Sequence, residues 1–420
     1  MKKLSAVCLV ALLLAGLLFA GGESDSSKVK LTFVESLTSP ERTLVLQSMI
    51  DEYESLNPDV EIELISPPYE QADNKITMML NSNQEVDIVE SRDNTLKQYV
   101  NNGKLVDLTP YIAEWDEYAD LLDLTVKAAH TVDNTPYLIP EFFYVKGLLV
   151  RTDIIEKYGI ELPETMDEFY AAVKEITGKA PGQYGVSFRG KNGAFKISDI
   201  MMLGDVGNVN PDNFYESLDG GFFLDNEAGI AALEKYVDMF KTAAPSDAIN
   251  WGYNEQVNGF VSGTAPFLFQ DPDAVGSIVG QLDPSQYTAI PVPVGITGKR
   301  YVDYGFAGLS IATNSKHPDE AWDFIKFMAS AEQNSKLCKA YGPLPVHGST
   351  YEQDEYFSSG VYTGWADELN SPDTVFVAYP FDSPKYPAWT QVQEQTMQAL
   401  LLGNSTVEEA IKAWAAYWND

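Results

Sequence analysis

Two hydrophobic periods alternate along this chain, and their order constrains the fold more than any other feature. Residues 30–35 (KLTFVE) read as a buried strand. Ser39 and Pro40 then supply an N-cap followed by proline at the first helical position, where its missing N–H would have had no helical partner. Leu46, Met49, Ile50 and Tyr53 follow at helical spacing until Asn57-Pro58 stops them. Val60, Ile62 and Leu64 alternate with Glu61 and Glu63, the mark of a strand covered on one face. A helix around residues 75–80, a strand at 86–90 (VDIVE) and a helix carrying Leu96, Tyr99 and Val100, capped by Gly103, continue the series. Strands joined by helices of this length require right-handed crossovers and hence a parallel sheet. Ligands of such sheets sit beyond the carboxyl ends of the strands. The loops at 36–39, 66–71 and 91–94 are therefore candidate walls.

The pattern resets near Leu138-Ile139-Pro140, and a second α/β region runs to about Asp303. It holds a glycine-rich loop at 189–193, an amphipathic helix around 228–240, and a mixed polar and aromatic stretch at 251–271 that ends in an apolar strand. Another strand follows at 306–312, then a helix after Pro318 with Ala321, Phe324, Ile325 and Met328 inward. Ser330 with Gln333, and Thr406 with Glu409, have the spacing of capping boxes. Ile411, Trp414, Ala415 and Trp418 form the inward stripe of the last helix. A length of 420 residues suits two or three domains.

The chain carries 28 Lys and Arg against 61 Asp and Glu, a formal charge of -33. That balance supplies no footprint for nucleic acid and disfavours an anionic membrane surface. Met1-Lys2-Lys3, an apolar run at 4–19 and Ala20 before Gly21-Gly22 read as a secretory signal over 1–20, followed by a flexible tether at 21–28. No later run approaches the ~20 apolar residues of a membrane span. Cys8 falls within the signal, so Cys338 has no internal disulfide partner and reads as a buried or half-buried helical thiol.

Several segments resemble the cluster 1, maltose-type extracellular solute-binding proteins of ABC transporters. They are Tyr53 to Val60 ending in Asn-Pro-Asp-Val, Asp87-Ile88-Val89, and Gly103 to Ile112. They continue through Tyr137 to Asp153, Tyr158 to Phe169, Phe260 to Ala265, Ala321 to Phe327 and Gly403 to Ala413. Met166 stands where the family usually has tryptophan. The resemblance implies an α/β, two-lobed periplasmic-binding-protein fold of type II with three crossovers. Lobe one is expected over 29–141 plus 306–342, and lobe two over 143–303 plus 345–420. The crossovers then fall near 141–143, 303–306 and 341–345. Many relatives carry a lipidated cysteine after the signal. Gly21 or Gly22 stands there instead, which implies a freely diffusing periplasmic protein.

A sugar presents hydroxyl rims and apolar C–H faces, so its site needs planar polar side chains and aromatic rings. The strand ends offer Glu35, Ser36, Tyr69, Ser91, Arg92 and Asp93. Glu141 and Phe143 lie at the first expected crossover, Phe306 and Tyr341 near the later ones. Arg189 sits among glycines, Gln270 and Asp271 end an apolar strand, and Trp251 stands in a polar setting. The resemblance implies a stacking role for Trp251 and another for Trp389. Each has a structural rival: a solvated strand end, a surface ion pair, a tight turn or a core ring.

The histidines His130, His317 and His347 lack zinc-site spacing, and residues 308–312 (GLSIA) lack the final glycine of a nucleophile elbow. The expected function is capture of a sugar, an oligosaccharide by preference, and its delivery by hinge closure to ABC permease subunits. The expected protein is a monomer, has no cofactor or metal and catalyses nothing. A secreted glycoside hydrolase needs only two carboxylates and stays open as a rival. A polyamine would need several carboxylates in the cleft, and a phosphate ester more cations.

Overall fold

The structure is a computed structural model that describes residues 28–82, 84–381 and 383–419. The signal expected at 1–20 and the tether up to Ser27 lie outside them. Among the described residues no helix is long and apolar enough to cross a membrane.

The first lobe grows from three parallel strands, β1 (Val29–Val34), β2 (Val60–Ile65) and β3 (Ile88–Arg92). Val29 pairs with Val60 and Phe33 with Ile88, so β1 lies between the other two. The helix Pro40–Leu56 makes the first crossover; Ser39 Oγ accepts from Arg42 N at 3.2 Å, and Leu46, Met49, Ile50 and Tyr53 are buried. The sheet is completed by β4 (Ile139–Val145), which runs on through Lys146 into β5 (Gly147–Val150). In the second lobe β6 (Val209–Asn210) and β7 (Asn213–Ser217) form a hairpin. There β5 lies between β8 (Phe267–Gln270) and β9 (Thr288–Ile290).

A single strand, β10 (Arg300–Ile311), belongs to both lobes. Arg300 to Asp303 pair in parallel with β11 (Thr374–Val377) of the second lobe. Tyr304 to Leu309 pair antiparallel with β4, and Ala307 to Ile311 with β3. An unbroken strand and the β4–β5 junction thus connect the lobes. At that junction a Cβ on Gly147 would lie 2.7 Å from Trp365 Nε1, so only glycine lets the tryptophan approach.

The third connection comes later than the expected 341–345. Leu344 bridges Phe143, Val346 O accepts from Leu122 N at 3.0 Å, and His347 Nε2 lies 2.7 Å from Ala329 O. Residues 344–349 therefore stay with the first lobe. The chain joins the second at the helix Thr363–Asn370, where Glu368 Oε2 accepts from Val292 N at 3.0 Å. Cys338 is fully buried on the helix Ala331–Tyr341, which ends at Gly342 with φ 102°.

Candidate functional site

The carboxyl ends of β1, β3 and β4 converge, as the topology demands, but not on open space. Arg42, from the first turn of the helix Pro40–Leu56, reaches back among three carboxylates. Its Nη1 is 3.0 Å from Glu35 Oε2, and its Nη2 is 2.6 Å from Glu90 Oε1 and 3.4 Å from Glu141 Oε2. All four side chains are at most 1% exposed. Glu90 Oε2 also accepts from Ser36 N at 2.5 Å, Ser36 Oγ at 3.0 Å and Leu37 N at 3.0 Å. Burial opposes its ionisation, but Arg42 and these donors together hold Glu90 below the usual carboxylate range. Glu141 goes the other way: burial, against the pull of Arg42 and with repulsion from Glu90, pushes it up to about 8. Its Oε1 is buried without a hydrogen-bond partner.

The expectation that Glu35, Ser36 and Glu141 face a ligand is therefore corrected, because Glu35 and Glu141 turn inward to Arg42 and Ser36 to Glu90. Ser91 is likewise sealed, 2.9 Å from Ser310 Oγ. Phe143 is a fully buried strand residue opposite Phe306, and Gln270 is buried with its Nε2 on Gln256 Oε1 at 3.2 Å. Trp389 is a core ring, packed at 5.2 to 6.3 Å among Tyr215, Phe222, Trp414, Tyr417 and Trp418. It sits in one cluster with the helix-stripe tryptophans Trp414 and Trp418, which is the core-ring rival of the stacking role that the resemblance implies.

Several other expected residues contact partners within their own lobes. Arg92 is clamped to Asp73 and to Tyr69, whose ring lies 5.5 Å from the guanidinium and is 51% exposed. Trp251 is half-buried, with its Nε1 donating to Asp247 at 3.2 Å and its ring against Gly259. Phe306 stacks under Tyr304 at 6.1 Å. Arg189 donates to the carbonyls of Lys191 and Asn192 in its own loop and lies 5.9 Å from the Tyr253 ring.

Between the lobes a second charged group forms, and its hub is Lys146, in the link from β4 to β5. Its Nζ is 2.7 Å from Asp271 Oδ1 and 3.9 Å from Asp303 Oδ1, and these acids hold its proton against burial. Burial pushes Asp93 of the first lobe up to about 6, partly offset by Lys196 of the second lobe and raised further by Asp303. Burial and the neighbouring Asp271 push Asp273 up to about 7, while Lys146 opposes them. From the first lobe Tyr144 and Tyr341 approach Asp273, with their hydroxyls 2.7 Å apart. Tyr253 adjoins Asp273 from the second lobe, and Lys196 lies 5.5 Å from the Tyr379 ring. Of the expected residues, Asp93, Asp271, Tyr341 and Arg189 join this group.

Lys146, Lys196, Tyr144, Tyr253, Asp273, Asp303 and Tyr304 were missed. A signal existed for two of them. The apolar run of β4 from Phe142 continues to Val145, which places the crossover at Lys146 rather than at 141–143, and Asp273 repeats the Asp271 signal two residues on.

The model of the family described as bacterial extracellular solute-binding protein matches residues 39–335. A maltotriose-binding protein of Pyrococcus abyssi is 22% identical over 340 residues, 79% of this chain and 69% of the relative. A multiple sugar-binding protein of Streptococcus mutans is 23% identical over 377 residues, 84% of this chain and 86% of the relative. Among solved structures, maltose-bound MalE3 of T. maritima superposes with a TM-score of 0.74 at 21% identity, covering 93% of this chain and 99% of that one. The sugar-binding protein MalE of Xanthomonas citri gives 0.79 at 18% identity, covering 92% and 96%. These likenesses share the two-lobed architecture described above, and the family match spans most of the chain. This protein belongs to the bacterial extracellular solute-binding protein family.

Proposed function

We propose that this protein captures a sugar, an oligosaccharide by preference, between its lobes and hands it intact to the permease subunits of an ABC importer. One observation carries the reading. Tyrosine rings and mixed charges from both lobes face each other across the strands that join them, with Asp93, Tyr144 and Tyr341 on one side and Lys196, Tyr253 and Asp273 on the other. Rings suit the C–H faces of a sugar, and carboxylates and ammonium groups suit its hydroxyls. The names of the maltotriose-binding and multiple sugar-binding relatives point the same way.

A ligand that touches both lobes favours the closed arrangement by its differential affinity. Closure bends the few residues at the junctions, Lys146 and the middle of β10 among them, and leaves each sheet intact. In this reading the protein is exported and acts as a monomer that releases its ligand unchanged.

A thermal-shift screen of mono- and oligosaccharides, with analysis of the recovered ligand, tests this. A saccharide at about 100 times its Kd should add roughly 2.7 kcal/mol of stability. It should be recovered whole. Shortened products would turn the reading to a hydrolase.

A further inference from the structure

The charges between the lobes leave Asp273 without a cation of its own. Lys146 Nζ lies 2.7 and 2.9 Å from the two oxygens of Asp271 and 3.9 Å from Asp303, so this ammonium already serves two other carboxylates. Lys196 faces Asp93 and Asp303. Arg189 is the nearest remaining cation, and its guanidinium is held by the carbonyls of Lys191 and Asn192. Four carboxylates thus face three cations.

Two acceptors stay open. Asp273 Oδ1 and Asp303 Oδ1 are both buried without a hydrogen-bond donor, and the Asp303 side chain is only 6% exposed. A buried oxygen in that condition needs a donor from whatever enters. Three rings stand near Asp273: Tyr253 from its own lobe, and Tyr144 and Tyr341 from the other, with ring centroids 6.4 Å apart. Phenol faces and hydroxyl oxygens attract cations. A phosphate or carboxylate here would meet the surplus acids. A neutral hydroxyl would satisfy the oxygens and leave the charge. A protonated amine supplies three donors together with the missing positive charge.

We infer that the cleft selects a carbohydrate that bears a protonated amine, seated between Asp273 and the rings of Tyr144, Tyr253 and Tyr341, while Asp303 accepts from a neighbouring hydroxyl. This rests on the sugar-capture reading of the same cleft and adds the charge of the ligand.

Calorimetry of the purified protein at pH 6.5 tests it with a glucosamine trimer, its N-acetylated counterpart, maltotriose and spermidine. The amine trimer should bind at least about tenfold more tightly than the acetylated one, whose amide nitrogens carry no charge. Asp273→Asn should remove that preference, weakening the amine trimer more than the acetylated one. Should that variant fail to fold, Tyr253→Leu should narrow the preference in the same sense. Equal affinity for the two trimers, or binding of only maltotriose and the acetylated trimer, would overturn the inference and leave sugar capture standing. Spermidine binding as tightly as the amine trimer would overturn its carbohydrate half. Binding of no saccharide would bring down sugar capture and this inference with it.

Discussion

The first lobe and the gap between the lobes each hold a cluster with more acids than bases, yet the two clusters are built differently. Around Arg42, three carboxylates are sealed, and most of their oxygens are bound by the guanidinium, by Ser36 and Leu37, or by Thr43. Around Lys146, oxygens of Asp273 and Asp303 of the second lobe are buried without donors, and Asp93 joins the group from the first lobe. A surplus of acid at strand ends therefore does not identify a binding site. The difference lies in whether a base from the next element in the same lobe closes the cluster.

The comparison breaks most sharply at Arg42. Arg42→Met leaves Glu35, Glu90 and Glu141 buried without their counter-charge, and should cost on the order of 3–5 kcal/mol or prevent folding. Urea denaturation measures it. A loss under about 1 kcal/mol would mean that the cluster admits water and is not the closed clamp described here.

Lys146→Met removes the hub of the other cluster. Asp271 is partly exposed and can turn to solvent, so the cost should be smaller, about 1–3 kcal/mol by the same assay. Sugar affinity should fall as well. A Lys146 variant as damaging as the Arg42 variant would make the two clusters equivalent.

Glu141→Gln gives the smallest effect and the finest distinction. Folding raises the Glu141 pKa to about 8 from an ordinary 4.5, so the folded state holds a proton that the unfolded chain has released between those values. Its contribution to stability is fully present below the unfolded value and is lost as pH rises through the folded one. The glutamine variant lacks this titration. Near pH 5 it should match the parent to within about 1 kcal/mol, and by pH 8 it should gain on the order of 1 kcal/mol or more relative to it. Parallel stability curves for the two proteins would place the proton elsewhere.

Much of the fold was legible because its signals are local. The Ser39 cap, the buried face of Pro40–Leu56 and the alternation of β2 lie within one or two turns of chain. The Thr406–Glu409 capping box forms as read, with bonds of 2.9 and 3.2 Å. Ser330 accepts from Gln333 N, but the Gln333 side chain goes to Glu52, which is remote in sequence. The third crossover was read too early because nothing in residues 341–345 reveals that Leu344 will pair with Phe143 and that His347 will reach Ala329 O.

The site was less legible for the same reason. Glu35 and Asp93 both follow strands and read alike. Arg42 sits seven residues past Glu35 and silences it, while Glu90 joins from 48 residues further on. Asp93 meets Lys196 only across the lobes. The resemblance implied a stacking role for both Trp251 and Trp389. Trp389 has neighbours in space that are the rings of Tyr215, Trp414 and Trp418.

The sequence by itself determined where many strands and helices fall and that β1, β2 and β3 run parallel. Those follow from side-chain period, capping and the handedness of crossovers, which act over a few residues at a time. Only the tertiary structure decided which charges are closed off and which stay open to a ligand. A carboxylate's fate depends on the cations and donors within a few ångströms, and here those arrive from elements distant along the chain.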